Sequence, residues 1–293
     1  MELHQLRYFV TLAETSNFSR AAKQCGIAQP SLSQQIRRLE DSLGTPLFDR
    51  LGRSIAMTEA GEALLPRARR ILSEVNDAAH EIRAEPARRE LRLGAIPTMA
   101  PYLLPPLLKQ FRREQPNCEL TVREDLTARL VDAVIDCELD CAIMSTPVDD
   151  PLIELEVIAT EPLLAALPRD FPLPEPRRLC MNDLRDQPTV VLHEMHCLGR
   201  QIEDFCSQSR LTRRIVCRGT QLMTILELVA LGLGVSIVPE MCAKADRSKA
   251  RQYMPITGSQ PERDIAIAWR RGRTRPTLAR SFIDLLQTSL KST

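Results

Sequence analysis

Net charge is nearly absent from this chain: 293 residues carry a formal +1. The overall balance therefore does not mark a polyanion binder, and any nucleic-acid site must come from local arrangement. Long hydrophobic runs are missing too. The longest, residues 225–239, is interrupted by Glu227 and falls short of the ~20 apolar residues that a spanning helix needs. The opening MELHQLRYFV has neither the basic start nor the apolar stretch of a signal peptide. The expectation is a cytosolic protein, which disfavours a periplasmic solute carrier. No internal repeat or low-complexity segment is present. What is there is an ordinary 44% of apolar residues, in a length that suits two domains. Cysteine is plentiful, at nine. In a reducing compartment that does not read as a disulfide framework, and most of the nine read as small buried apolar residues.

One stretch resists that plain reading. VVLHEMHCLGRQIEDFCS, residues 190–207, sets His196 beside Cys197 and places Cys206 nine residues further on. Residues 189–192 are a β-branched run that predicts a buried strand, and Leu198, Ile202 and Phe205 recur at helical spacing. Cys197 then falls in a loop or first helical turn. Unpaired backbone N–H groups and the positive end of the helix dipole favour an anion there, and a thiolate is one. A protonated His196 would add to that field. Nine helical steps span roughly 13 Å, whereas a disulfide needs Cα atoms within about 7 Å. Cys197 and Cys206 can bond only if the helix unwinds. His193, His196, Cys197 and Cys206 are also zinc-ligand types, although their spacing fits no common site. Cys137 and Cys141 read as core filling, and Cys25, Cys118, Cys180, Cys217 and Cys242 carry no motif.

Residues 1–58 read as a DNA-binding domain. Leu3, Leu6, Phe9, Val10 and Ala13 follow helical spacing. Asn17 or Ser19 can cap a second helix over 20–24, and Gly26 ends it. Gln29-Pro30 leads into a third helix over 31–43, with Leu32, Ile36, Leu39 and Leu43 inward. Its outward face carries Gln29, Ser31, Ser33, Gln34, Arg37 and Arg38. Gln pairs with adenine, Arg with guanine, and Ser with phosphate or base. Residues 47–57 predict a hairpin wing with Arg50 and Arg53 at its tip. The alternative is a solvated polar helix in a core bundle; the turn, Pro30 and the basic wing together favour double-stranded DNA as the partner. AAKQCGIAQPSLSQQIRRLEDSLGTPLFDR followed by TEAGE closely resembles the winged helix-turn-helix of LysR-type transcriptional regulators. The resemblance implies a dimeric or tetrameric DNA-binding regulator that reads an inverted repeat and works with RNA polymerase.

Residues 59–89 predict a linker helix and hinge. Thr58 can cap the helix, with Glu59 and Glu62 in its first turn. Leu64, Ala68, Ile71, Val75, Ala78 and Ile82 form a heptad seam. Such a helix is about 40 Å long, which favours dimerisation over lying on its own domain. Residues 85–89 are a polar, proline-marked linker.

From residue 90 the pattern changes. Strand-like runs at 91–95, 120–123, 141–145, 153–158 and 163–167 alternate with helical periodicity at 102–114, 126–135, 222–233 and 277–290. The expectation is an α/β domain with largely parallel sheets. The proline-rich 168–176 and the strand 265–269 are expected to cross between two lobes, 90–162 plus 266–293 and 163–265. Small molecules bind such folds at the carboxyl ends of strands. Thr98 and Thr127 follow the first two strands, and serve either a small polar ligand or simple helix capping.

AIPTMAPYLLP, ELDCAIM and HCLGRQIEDFC resemble the OxyR branch of the LysR-type regulators, the hydrogen-peroxide sensors. The fold implied is an all-α winged helix-turn-helix, a long linker helix and a two-lobed α/β effector domain similar to periplasmic binding proteins. By this resemblance Cys197 matches the peroxide-reacting cysteine, Cys206 its disulfide partner and His196 the histidine beside it. Thr98 and Thr127 match threonines lining the peroxide site. The branch often has Arg-Asp after Cys-Leu, where this chain has Gly199-Arg200; the missing carboxylate bears on rate and sensitivity. The implied chemistry needs no cofactor or metal, uses thioredoxin or glutaredoxin as reductant, and makes the chain a regulator rather than an enzyme. Two other readings stay open: a metabolite-responsive regulator with an inert Cys197, and a thiol peroxidase using the same pair.

Overall fold

The computed structural model describes the chain except residues 52–53, 84–89, 174–178, 209–213, 259 and 292–293, with the side chains of 50, 51, 54, 76, 77, 80–83, 208 and 291 also left out. Arg53, the linker at 85–89 and the side chains of Arg50 and Ile82 thus lie outside the described residues. The chain divides into two compact units, one, the head, of Met1–Ala87 with Ile135–Glu138 and one of Arg88–Val134 with Leu139–Thr293.

The head runs α1 (Leu3–Thr15), α2 (Phe18–Gln24), α3 (Gln29–Leu43), β1 (Phe48–Leu51), β2 (Ser54–Met57) and α4 (Glu59–Arg83). Asn17 Oδ1 accepts the Arg20 N–H at 3.0 Å. That cap starts α2 at Phe18, two residues before the expected Arg20. Gly26, at φ +68°, turns the chain out of α2. Pro30 sits in the first turn of α3, where its missing N–H costs nothing. Leu32, Ile36 and Leu39 are buried with Leu6, Phe9, Leu12 and Phe48. Leu43 is not inward as expected: it is 40% exposed, because Gly44 at φ +72° ends the helix beside it. Glu40 Oε1 accepts the N–H groups of Leu47 (2.8 Å) and Phe48 (3.3 Å), fixing where the β1–β2 hairpin leaves α3.

Thr58 Oγ1 accepts the Gly61 N–H at 3.1 Å and caps α4. A Cβ at Gly61 would stand 2.3 Å from the Leu47 carbonyl oxygen, so that close approach requires glycine. The expected seam of α4 divides in two. Ala68 is buried in the head core with Leu64 packed against it, while Ile71, Val75 and Ala78 stay exposed on the later turns.

The second unit runs β3 (Glu90–Ala95), α5 (Ala100–Glu114), β4 (Glu119–Glu124), α6 (Thr127–Ile135), β5 (Cys141–Met144), β6 (Ile153–Pro168), β7 (Leu179–Cys180), β8 (Pro188–Leu192), α7 (Cys197–Gln208), β9 (Arg214–Gly219), α8 (Leu222–Ala230), β10 (Ser236–Pro239), α9 (Glu240–Ala245), β11 (Arg251–Thr257), β12 (Glu262–Arg270) and α10 (Thr277–Lys291). Its main sheet has the order β4-β3-β5-β12-β6-β11-β7, with β10 also on β6. Parallel pairing holds for β3 with β4 and β5, for β8 with β9 and for β7 with β11; β12, β6, β10 and β11 otherwise pair antiparallel. The sheets are mixed, not largely parallel.

The two strands expected at 153–158 and 163–167 are one 16-residue strand, β6. Its first part pairs with β12, up to Pro162 against Glu262, and its second with β10 and β11, from Leu163 to Pro168. The crossing between lobes is therefore made by the middle of β6 and the start of β12. Pro168, at the start of the proline-rich 168–176, is already paired with Arg251 inside β6; residues 174–176 of that stretch lie outside the described residues. The pairing slips by one residue between Ile265 and Ala266, where β6 carries Ile158 as the extra residue of a bulge.

Candidate functional site

The parallel strands β4, β3 and β5 end side by side at Glu124, Ala95 and Met144. Ile96 N donates to Ile143 O at 3.1 Å and Asp125 N to Ala95 O at 3.4 Å, so the chain leaves both strands from one edge. Thr98 follows β3 there, Thr127 opens α6 after β4, and Ser145 and Thr146 follow β5. Neither threonine is an N-cap. The cap of α5 is Met99 and makes no side-chain bond. Thr98 is buried, and its Oγ1 accepts from Arg263 Nη1 at 2.9 Å while its carbonyl accepts from Arg263 Nη2 at 3.1 Å. With a lone pair occupied in that way, the Thr98 hydroxyl keeps its proton to donate. Thr127 Oγ1 is buried with no hydrogen-bond partner among the described residues.

Cys197 is the first residue of α7, the helical alternative of the two expected for it, and Cys206 lies near the other end of the same helix. Neither is in a disulfide, and they are 8% and 1% exposed. Leu198, Ile202 and Cys206, four residues apart in turn, pack in the core of the second lobe. The His196 carbonyl accepts the Arg200 N–H at 3.3 Å and opens the helix. Ahead of it, the first-turn N–H groups have no partner within α7.

Gln201 ties this helix to the strand edge: Nε2 donates to Ser145 Oγ at 3.0 Å and also to Thr146 O. Its Oε1 is buried and lacks a partner among the described residues. Thr146 and Thr160 both donate to Asp264, at 2.6 and 3.0 Å. An unmet buried acceptor costs about 1–3 kcal/mol, so Gln201 Oε1 and Thr127 Oγ1 favour a small polar molecule that can bond to them. Sequence reasoning missed Gln201. The signal was its spacing, one turn after Cys197.

Burial pushes the His196 pKa below the usual imidazole value, helped by His193 and opposed by the Thr220 backbone bond and the Glu124 carboxylate. The fold thus favours the neutral ring and weakens the push that a protonated His196 would give Cys197. Folding here favours neutral imidazole, so this contribution is full above about pH 6.5 and is lost as pH falls toward the lower folded value. The expected outcome is that hydrogen-exchange protection of α7 declines from pH 7 to 5, and that His196→Asn flattens the decline. Identical profiles for the two proteins rule the role out.

On α3, Gln29, Pro30, Ser31, Gln34, Arg37 and Arg38 are exposed and Ser33 is partly so; Arg50 is described by its backbone alone, in β1. Cys137, Cys141 and Cys242 are buried, the other four partly so. Among the described residues, no three His, Cys, Asp or Glu side chains gather as a metal site requires.

Residues 3–62 match the family model described as bacterial regulatory helix-turn-helix protein, lysR family, and residues 84–291 match the LysR substrate binding domain. The chain belongs to the LysR family. A hydrogen peroxide-inducible genes activator from Pectobacterium carotovorum is 34% identical over 276 residues, covering 93% of this chain and 91% of its own. The Hca operon transcriptional activator HcaR of Escherichia coli is also 34% identical, over 100% of this chain and 99% of its own. The solved structure of a full-length OxyR variant from Pseudomonas aeruginosa superposes with a TM-score of 0.84 at 31% identity, over 99% of this chain and 95% of its own.

Within the LysR effector domain, the long-range residues that sequence reasoning missed are Arg263 and Glu161. Arg263 Nε donates to Glu161 Oε1 at 2.7 Å, and Glu161 Oε2 accepts the Met241 N–H at 3.0 Å. The pair joins the two crossing strands, and through Arg263 it holds Thr98. A second polar link between lobes runs from Tyr102 on α5 to Cys242 on α9, hydroxyl to sulfur at 3.1 Å. Burial, with that bond, pushes the Tyr102 hydroxyl well above its ordinary pKa and keeps it protonated.

Proposed function

We propose that this LysR-type regulator senses hydrogen peroxide through a reversible Cys197–Cys206 disulfide and controls oxidative-stress genes. The observation that carries the reading is Cys197 at the head of α7, with Gln201 bonded to the strand edge that also bears Thr98 and Thr127, and Cys206 on the same helix. The match to a solved OxyR supports it. The Cys197 sulfur attacks one peroxide oxygen, the O–O bond breaks, and the other oxygen leaves as water, giving a sulfenic acid. Thr98 donates to the developing charge on the leaving oxygen, with Thr127 and Gln201 positioning the molecule and His196 closing the site. α7 then unwinds, and the Cys206 sulfur displaces the sulfenic hydroxyl as water. Gln201 leaves Ser145 and Thr146 in the process. A short disulfide loop is worth about 3 kcal/mol or less, which is on the scale of the 1–3 kcal/mol typical of allosteric coupling.

The output is double-stranded DNA, bound through Gln29, Pro30, Ser31, Ser33, Gln34, Arg37 and Arg38 on α3 and through Arg50 and Arg53 of the wing. Exposed Ile71, Val75 and Ala78 on α4 pair two heads, within a dimer of dimers. RNA polymerase reads the result, and a thioredoxin or glutaredoxin resets the thiols in the cytoplasm. The chemistry is stoichiometric, which separates it from a thiol peroxidase. The extent of the HcaR similarity keeps a metabolite-responsive regulator as the second reading. One experiment decides: one equivalent of peroxide per chain, disulfide mapping, and footprinting of both redox forms on the chain's own promoter. A Cys197–Cys206 bond with a changed footprint is the expected result. A footprint that answers to a small-molecule co-inducer and not to peroxide favours the second reading.

A further inference from the structure

Gly199 occupies the third position of α7. A Cβ there would stand 2.5 Å from the His193 carbonyl oxygen, 2.8 Å from the Leu192 carbonyl oxygen and 2.9 Å from the His193 carbonyl carbon. All three are backbone atoms at the end of β8. They are fixed by the pairing of Leu192 with Gly219 and by the His193 N–H bond to Gly219 O at 2.8 Å. None can swing aside as a long side chain can. Gly199 is not among the glycines with positive φ, so it is needed for space rather than for its own backbone conformation. The first turn of α7 therefore rests directly on the carbonyl end of β8, and only a residue without Cβ permits that.

We propose that Gly199 is a positioning residue for the redox step: by seating α7 on β8 it holds the reduced helix closed and slows the union of Cys197 with Cys206. The inference rests on the peroxide-sensing reading above. The step it governs is conformational and comes before the chemistry. In that chemistry the Cys206 sulfur attacks the Cys197 sulfenic sulfur, the S–O bond breaks as the S–S bond forms, and the hydroxyl leaves as water with the Cys206 proton. Gly199 also accounts for how a helix that starts with glycine near its N-terminus stays ordered. What glycine loses in helix propensity is offset by the close contact.

Two physical effects give opposite signs for Gly199→Ala. At an unobstructed helical position alanine strengthens a helix and would slow closure. At this position its Cβ lifts α7 off β8 and speeds closure. The test uses full-length protein oxidised with one equivalent of peroxide, quenched with an alkylating reagent, and equilibrated separately in dithiothreitol buffers. Gly199→Ala is expected to close the disulfide about tenfold faster and to shift the dithiothreitol equilibrium about tenfold toward disulfide. Closure is timed from sulfenic acid already formed, so that any change in the peroxide step at Cys197, on the same turn as Gly199, does not enter the rate, and the melting temperature should change by only a few degrees. Closure at the wild-type rate or slower overturns the proposal. A second measurement needs no variant: in reduced wild-type protein, amide exchange at residues 200–203 of α7, the first whose N–H groups are bonded along the helix, should be as slow as in β8. Fast exchange there also overturns it. If wild-type protein forms no disulfide at all, the peroxide reading falls, while the exchange measurement still decides whether the helix is seated.

Discussion

Cys206→Ser protein exposed to peroxide stops at the Cys197 sulfenic acid, and its footprint stays that of the reduced form. Cys197→Ser protein takes up no oxidant equivalent at this site, and its footprint does not change either. Both losses are expected to be complete, whereas the cost in stability is expected to be small at Cys197, which lies at the edge of the helix, and larger at Cys206, which is packed in the second lobe. Cys206→Ala, which adds no hydroxyl to that apolar core, is the companion variant of that experiment. The reason for the completeness is geometric. Nine residues of continuous helix keep the sulfurs roughly 13 Å apart, so no partial bond and no intermediate signal is available while α7 is intact. A double-serine protein whose promoter occupancy still answers to peroxide sinks the disulfide as the signal and leaves the LysR fold untouched.

How far the sequence carried depended on how local the cause was. The head was legible because helix periodicity, the Asn17 cap and the left-handed Gly26 act within a few residues. The glycine of TEAGE is legible only as a motif; its reason, the Leu47 carbonyl, lies in another element. In the same way α7 could be read from Leu198, Ile202 and Phe205, and the opposed placement of Cys197 and Cys206 followed from helix geometry. The errors fell where a neighbour distant in sequence decides. The strand β6 was split in two because its polar middle, residues 159–162, resembles a loop, when it is the crossing strand whose Glu161 is needed by Arg263. The depressed pKa of His196 was not legible because its burial comes from packing that no local pattern records. The pair Gly199-Arg200 was read only for the carboxylate it lacks, whereas in the fold the absence of a side chain at Gly199 is the property used.

Arg263 offers the largest expected effect on stability. It is buried, its Nε is 2.7 Å from a Glu161 carboxylate that is itself buried, and the rest of its fork is spent on Thr98. Removing one member of such a pair leaves a charge stranded in low dielectric, at about 3–5 kcal/mol. Arg263→Met should therefore lower the melting temperature of the effector domain by roughly 10 °C. Replacing both members, Arg263→Met with Glu161→Leu, removes the stranded charge, and most of that loss should return, because an apolar pair of similar volume often matches a buried ion pair. The two variants then separate fold from chemistry. In the double variant Thr98 has lost both of its guanidinium donors, so its hydroxyl no longer has a fixed direction and its loop no longer has an anchor. Cys197 oxidation by peroxide should stay slow, by about tenfold or more, although the protein melts near the wild-type temperature. Arg263→Lys keeps the charge without the planar fork and should fall between the two. A double variant that regains stability and reacts with peroxide at the wild-type rate shows that Arg263 holds the lobes together and plays no part in presenting Thr98.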